Sequence, residues 1–251
     1  MAEKEPLTVQ GEGAHEIFAG APGNPAIEKM YSESATYFAD IIRNLLKPQE
    51  QPYEMLDVGS FKGELLQKIL QELGDEYNFH TIGIDKDEVF FDGNKVVDSK
   101  INGDISEMPI KDKSVDVAIV RYVLQWNSAE RQKQILRELD RVCREFAIIQ
   151  HAGADRENTE VWQERMHHMV FGGLPKVSRP EGYFSSPSEI EEWMEEAGIH
   201  FQKLQDRKIE KVSSVFAEKY KLNEEETKQA EEILGDTDSI QQTTWIIGNK
   251  I

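Results

Sequence analysis

Tyr53-Glu-Met-Leu-Asp-Val-Gly-Ser-Phe-Lys-Gly63 reads as a short apolar strand running straight into a glycine turn, and the next apolar run closes on Ile82-Gly-Ile-Asp85. The first segment predicts a strand over Met55 to Val58, a turn in which Gly59 and Gly63 let a ligand approach the backbone, and a helix from Gly63 to Leu73. Amide donors at the start of that helix favour a polar or anionic ligand. Asp85, at the end of the second strand, offers two oxygens that can accept two ribose hydroxyls. Strand, glycine turn and acid-tipped second strand together point to a nucleoside-bearing ligand on an α/β sheet.

The same rhythm continues downstream. Phe79 to Ile84 reads as a strand, Lys95 to Val97 as a short one, and Val115 to Val120 as a continuous apolar one. Ala129 to Val142 predicts a helix with Ile135, Leu136, Leu139 and Val142 inward, and Phe146 to Gln150 the strand after it. Strands alternating with helices require crossover connections, hence a largely parallel sheet covered on both faces. Upstream, helical spacing from Ala26 aligns Ile27, Met30, Tyr31, Ala35, Phe38, Ile41, Ile42 and Leu45 on one face and ends before Pro48. Residues 1–26 read as an irregular arm, so 1–48 is expected to form an arm with a leading helix and 49–251 the main domain.

Past Gln150 the pattern changes. Residues 152–185 are too long for a simple crossover and are expected to form a helical cap over a substrate. There Trp162, Met166, Met169 and Phe171 offer apolar lining, while Arg165, His167 or His168 offers a polar contact. Adjacent His167 and His168 point apart on a helix, which argues against a metal pair. Ser186-Pro187-Ser188-Glu189 has the form of a capping box opening a helix that runs to Gly198. Residues 199–205 alternate as a strand, 209–234 read as helical, and Thr243 to Gly248 forms a last strand expected to pair antiparallel at the sheet edge.

Composition narrows the partners. The 251 residues carry 47 acidic against 29 basic side chains, a formal charge of -18 that repels a phosphate backbone, and no basic cluster offsets it. No nucleic-acid partner is expected. Cys143 is the only cysteine, which excludes an intramolecular disulfide and a cysteine-rich metal site. The opening MAEKEPLTVQ lacks a signal-peptide core, and no run approaches the roughly 20 apolar residues of a membrane span. A cytoplasmic protein without a membrane partner is the expectation; the oligomeric state is left open.

In these motifs the chain resembles the class I S-adenosylmethionine-dependent methyltransferases, in particular their small-molecule branch. Leu56-Asp-Val-Gly-Ser-Phe-Lys-Gly63 is similar to the family's first glycine motif, and Gly83-Ile-Asp85 to the acid after its second strand. Gly103-Asp-Ile-Ser-Glu-Met-Pro109 with Ser114-Val-Asp116 is similar to the segment before its fourth strand, and Tyr122-Val-Leu-Gln-Trp126 occupies the region just after it. The resemblance implies a Rossmann-like, seven-stranded, mostly parallel sheet, with S-adenosylmethionine as cofactor and methyl transfer to a small molecule as function. It implies that Gly59 and Gly63 approach the methionine part of the cofactor, Asp85 the ribose, and Asp104 with the Ile105 amide the adenine. Asp57 is expected to orient the loop or meet a cationic amino group, and Tyr31 and Tyr37 to form a lid.

The chemistry asks for placement of two reactants and, for some acceptors, removal of a proton; it implies no metal. Tyr122 and His151, near strand ends, are the candidate catalytic residues, Tyr122 bordering the cofactor as well; Gln125 and Trp126 lie beside them. His15 and Phe18, in the arm, are candidates to order with substrate. Phe61 stands where the family has a middle glycine, and a negative-φ path with its ring in an apolar niche is the expected accommodation. Beside it, Lys62 is a candidate for the cofactor carboxylate. A nicotinamide cofactor is the nearest competitor, but a close G-x-G-x-x-G is absent and the Asp104 segment favours adenosylmethionine. A noncatalytic adenosylmethionine-binding regulator and a methyltransferase acting on RNA or protein are the alternative functions.

Overall fold

The computed structural model describes residues 25–86, 88–91, 93–153, 164–165, 182–220, 222–235 and 238–248. Most of the expected cap and the arm bearing His15 and Phe18 lie outside the described residues, as do Trp162, Met166, His167, His168, Met169 and Phe171.

Helix α1 (Pro25–Leu45) precedes β1 (Tyr53–Val58), α2 (Glu64–Leu73) and β2 (Phe79–Asp85). After β3 (Ser99–Asn102) and β4 (Val115–Arg121), α3 (Ala129–Val142) leads into β5 (Cys143–Gly153). Helix α4 (Pro187–Glu196), β6 (Phe201–Glu210), α5 (Val212–Tyr220), α6 (Glu224–Leu234) and β7 (Ser239–Gly248) complete the described chain. Among the described residues the strands form one seven-stranded sheet in the order β3-β2-β1-β4-β5-β7-β6. β1 to β5 are mutually parallel, and β7 is antiparallel to both of its neighbours.

Period-two alternation divides the sheet's side chains between two cores. Met55, Val117, Ile119, Phe146, Ile148 and Ile246 pack with the apolar face of α1 and with Leu65, Leu66 and Ile69 of α2. On the opposite face Leu56, Ala118, Val120, Ala147, Ile149, Trp245 and Ile247 pack with Ile135, Leu136 and Leu139 of α3 and Ile190 and Met194 of α4. Both faces are therefore covered, as a parallel sheet requires. The leading helix is part of this core, since Ala35, Phe38, Ala39 and Ile42 are fully buried. No helix among the described residues is long and apolar enough to cross a membrane.

The capping box that opens α4 forms as its sequence predicts: Ser186 Oγ accepts from the Glu189 amide at 3.2 Å, and Glu189 Oε2 from the Ser186 amide at 2.7 Å. Three local expectations change. Lys95 to Val97 is not a strand, because the Asn94 side-chain oxygen accepts from the Val96 and Val97 amides and holds them in a turn. The third strand lies instead at Ser99–Asn102. Strand β6 extends to Glu210, so the first residues expected to be helical continue the ladder with β7. The last strand is antiparallel as expected but sits one place in from the edge, between β5 and β6. Its fully buried Thr243, Thr244 and Trp245 need strands on both sides, and the more polar β6 takes the exposed edge.

Strand order reverses between β1 and β4, which flank the first glycine turn. Such a switch point opens a crevice at the carboxyl ends of the strands. Because Phe38 fixes α1 beside that crevice, Phe38→Ala should lower the free energy of unfolding by about 3–5 kcal/mol. Urea denaturation would measure the loss.

Candidate active site

The turn after β1 is tied to the end of β2. The Gly59 and Ser60 amides donate to Ile84 O at 2.9 and 3.3 Å, and the Phe61 amide donates to Asp85 Oδ2 at 3.2 Å. Gly63 closes the turn by donating to Ser60 O at 2.8 Å, and α2 begins at the next residue. Along this turn φ is +68° at Gly59, +47° at Phe61 and +75° at Gly63. Gly59 is confined sterically as well as by its φ, since a Cβ there would lie 2.8 Å from Val123 Cγ2.

Phe61 therefore takes the left-handed conformation directly, and the negative-φ path expected for it is not followed. The reason is the bracing around it. Besides the Asp85 bond, Asn94 Nδ2 donates to Phe61 O at 3.1 Å, so both of the residue's peptide groups are held. Its ring is half-exposed, with Lys62 Nζ 5.6 Å from its centroid, rather than enclosed in an apolar niche.

Asp57, Gly59, Ser60, Phe61 and Glu64 line a pocket with Tyr31 of α1 and Arg121 of β4. Alternation explains the grouping: Met55, Asp57, Val117, Ile119 and Arg121 share the sheet face on which α1 packs. Burial, partly offset by a hydrogen bond with Ser60, pushes the Asp57 carboxyl up to about 7, and nearby Asp85 adds to the rise. Glu64 is likewise raised, chiefly by burial. Two desolvated carboxyls in one pocket suit a ligand that brings positive charge.

Asp85 is buried at the rim, its Oδ1 accepting from the Lys86 amide at 2.8 Å. The parallel pairing of β2 with β3 sets Asp85 against Asn102, so Asp104 follows at the same end of the sheet. Its Oδ1 accepts from the Ser106 amide at 2.8 Å, the Ser106 hydroxyl at 2.7 Å and Arg131 Nη2 at 2.7 Å. Burial alone would raise this carboxyl, but those three donors outweigh it and hold Asp104 below the usual range, as a fixed anion. The adjacent Ile105 packs against the core beneath.

Tyr122 follows β4 with φ +54°, its amide donating to Gln150 O at 2.8 Å. Its ring is half-buried and its hydroxyl is held above the usual phenol range, mainly by burial, so it is a neutral donor near pH 7. His151 is not brought to the pocket. Gln150 points toward α1, donating by Nε2 to Thr244 Oγ1 and accepting from Ser34, so the next residue along β5 points to the opposite face. There His151 is fully buried beside Trp245, and its Nε2 donates to Ser185 O at 2.9 Å. Burial lowers its basicity to about 4, so it stays neutral. Tyr37 lies on α1 against Phe38 rather than in the pocket lining, and Trp126 packs edge-on to Phe184. Gln125 is buried, and its Oε1 has no hydrogen-bond partner among the described residues.

Of the expected residues, Asp57 and Gly59 line the pocket, and Gly63 closes the turn that forms its wall. Asp85 and Asp104 stand at the same end of the sheet. Arg121, Ser60, Glu64 and Asn94 were missed. A cation ending an apolar strand, two residues past Ile119 and hence on the same face, was the available signal for Arg121.

Residues 56–149 match a family model described as a methyltransferase domain. No curated protein matches the chain. The fold is that of the YcgJ protein from Bacillus subtilis, at TM-score 0.62 and 16% identity over 86% of this chain and 96% of that one. Geranyl diphosphate C-methyltransferase from Streptomyces coelicolor A3(2), solved with S-adenosyl-L-homocysteine, aligns at TM-score 0.61 and 10% identity over 93% of this chain and 87% of that one. A geranyl diphosphate methyltransferase solved with S-adenosylmethionine aligns at TM-score 0.60 and 12% identity, over 93% and 94% of the two chains. Residues 56–149 carry a methyltransferase domain, on the fold shared with these methyltransferases. S-adenosylmethionine, bound in the last of these neighbours, is a cation, the charge that two desolvated carboxyls suit.

Phe61 isolates the cost of the left-handed turn. Phe61→Ala and Phe61→Gly lose the same ring, yet only glycine relieves the positive φ, so the glycine variant should be more stable by about 1 kcal/mol. Thermal unfolding of the two proteins side by side measures the difference.

Proposed function

We propose that the protein transfers the methyl group of S-adenosylmethionine to a small-molecule acceptor, and that it works in the cytoplasm without a nucleic-acid or membrane partner. The observation that carries the reading is the brace between the positive-φ turn and Asp85, which joins the pocket lined by Asp57, Gly59 and Glu64 to the buried acid at the end of β2. The formal charge of -18 supports a small acceptor over nucleic acid. Two structural neighbours named for geranyl diphosphate support it as well.

When bound, the cofactor would supply an electrophilic sulfonium methyl, to which the acceptor would bond in line as the carbon–sulfur bond breaks and the neutral thioether leaves. The protein's part is placement. Asp85 takes the ribose hydroxyls; Asp104, with Oδ1 committed to Ser106 and Arg131, takes the adenine amino group beside the Ile105 amide. Gly59 and Gly63 admit the methionine segment along the turn, and Asp57 faces its ammonium. Tyr122 borders the methyl group as a neutral hydroxyl that orients the acceptor rather than removing its proton. His151 supports the site from behind by holding Ser185. Gly153 and Ser185 meet so closely that a Cβ on Gly153 would lie 2.0 Å from Ser185 O. The segment between them thus leaves and returns at one point, which suits a cap that sets acceptor specificity.

Calorimetry with S-adenosylhomocysteine should show binding by the wild-type protein, and Asp85→Asn should weaken it about tenfold or more by removing a charged hydrogen-bond acceptor. Isotopic methyl transfer into a metabolite extract should follow the same order; binding with no transfer to any metabolite would instead favour the regulator.

Asp57 predicts a pH dependence. Its folded-state carboxyl titrates near 7, and the ligand's ammonium, charged throughout, favours the ionised form. Affinity for S-adenosylhomocysteine should therefore rise about tenfold from pH 6 to pH 8. Asp57→Asn should flatten the profile.

A further inference from the structure

Arg121 is a pocket cation whose charge nothing in the site just described uses. Its guanidinium lies 4.9 Å from the Tyr31 ring centroid and 4.3 Å from that of Tyr122, so aromatic rings from α1 and from the turn after β4 pack against it. Its Nε donates to Ser34 Oγ at 3.0 Å and Gln150 Oε1 at 3.2 Å, while Ser34 Oγ donates to the same Gln150 oxygen at 3.0 Å. Side chains from α1, β4 and β5 thus fix the group in place.

Every recorded hydrogen bond of Arg121 uses Nε, and it forms no ion pair among the described residues. No ion pair joins it to Asp57 or Glu64, which line the same pocket. Instead Arg121 bears on Tyr31 and Tyr122, whose hydroxyls it acts to lower. The pocket thus holds desolvated carboxyls on one part of its wall and, on another, a guanidinium with no ion pair among the described residues. A planar guanidinium with its faces covered and its terminal nitrogens open is built to take a carboxylate edge-on through two hydrogen bonds.

We propose that Arg121 binds the α-carboxylate of the cofactor's amino-acid end, while Asp57 and Glu64 face its ammonium. The inference rests on the methyltransferase reading and deepens it: the pocket recognises an amino-acid zwitterion, with the carboxylate read by a residue that follows the fourth strand's apolar run. It assigns to Arg121 the contact for which Lys62 was a candidate; Lys62 sits instead over the Phe61 ring.

The test compares two ligands that share the adenosine and the sulfur but differ in the amino-acid end: S-adenosylhomocysteine and 5′-methylthioadenosine. Calorimetry with Arg121→Met should weaken S-adenosylhomocysteine about 10- to 100-fold, the usual loss for a charged hydrogen-bonded pair, and leave 5′-methylthioadenosine within about twofold. Arg121→Lys should recover part of the loss, because it restores charge without the fork. Retained 5′-methylthioadenosine binding also shows that the variant is folded. An equal loss for both ligands, or an unchanged affinity for S-adenosylhomocysteine, overturns the assignment. So does an effect of Arg121→Met confined to the KM of the methyl acceptor, which would make the partner an anionic acceptor. Failure of the wild-type protein to bind either ligand would overturn the methyltransferase reading itself, an outcome visible before any variant is made.

Discussion

The hydrogen bond from the Phe61 amide to Asp85 Oδ2, with the Gly59 and Ser60 amides on Ile84 O, ties the first turn to the end of the neighbouring strand. The rest of the site depends on that tie. It forces three alternate residues of the turn into positive φ, one of them a phenylalanine, and so sets the path by which the chain enters α2. In the proposed binding mode it also makes one carboxylate serve twice, because the acid that braces the turn is the acid proposed to hold the ribose. Each carboxylate oxygen has a second lone pair, so bracing does not forbid binding. A change at Asp85 loosens the turn and, in that proposal, removes a ligand contact with it.

Sheet geometry supplies the remaining order. The reversal of strand order between the parallel neighbours β1 and β4 opens the crevice, and alternation along those strands brings Asp57 and Arg121 to the same side of it, under α1. The same alternation carries His151 to the other face, where it is neutral and bound to Ser185. Electrostatics follows from burial: carboxyls raised by desolvation and a guanidinium packed against aromatic rings, with no ion pair between them, suit the zwitterionic ligand proposed for the pocket.

Much of this was legible in the sequence because it rests on local pattern. The apolar strands, the glycines at 59 and 63, the acid at 85 and the Ser186 capping box each follow from spacing and residue chemistry within a few positions. Other features depend on distant partners. Phe61 takes a conformation its side chain disfavours because Asp85 and Asn94 hold its peptide groups. Asn94 also cancels the strand expected at Lys95 to Val97. The position of the last strand is decided by β6, which takes the edge. Arg121 gains meaning only when α1 and β5 deliver Tyr31, Ser34 and Gln150 to it. His151 shows the converse: nearness to a strand end suggested a pocket role, and one step of alternation removed it.

The central claim is that one continuous site runs from Asp85 through the positive-φ turn to the face under α1. A crystal structure of the protein with S-adenosylhomocysteine tests it most directly. The account predicts the ribose on Asp85, the adenine beside Asp104 and the amino-acid end along Gly59, with the Phe61 φ still positive. A ligand bound elsewhere, or a turn that abandons the Asp85 bond to admit it, would contradict the account.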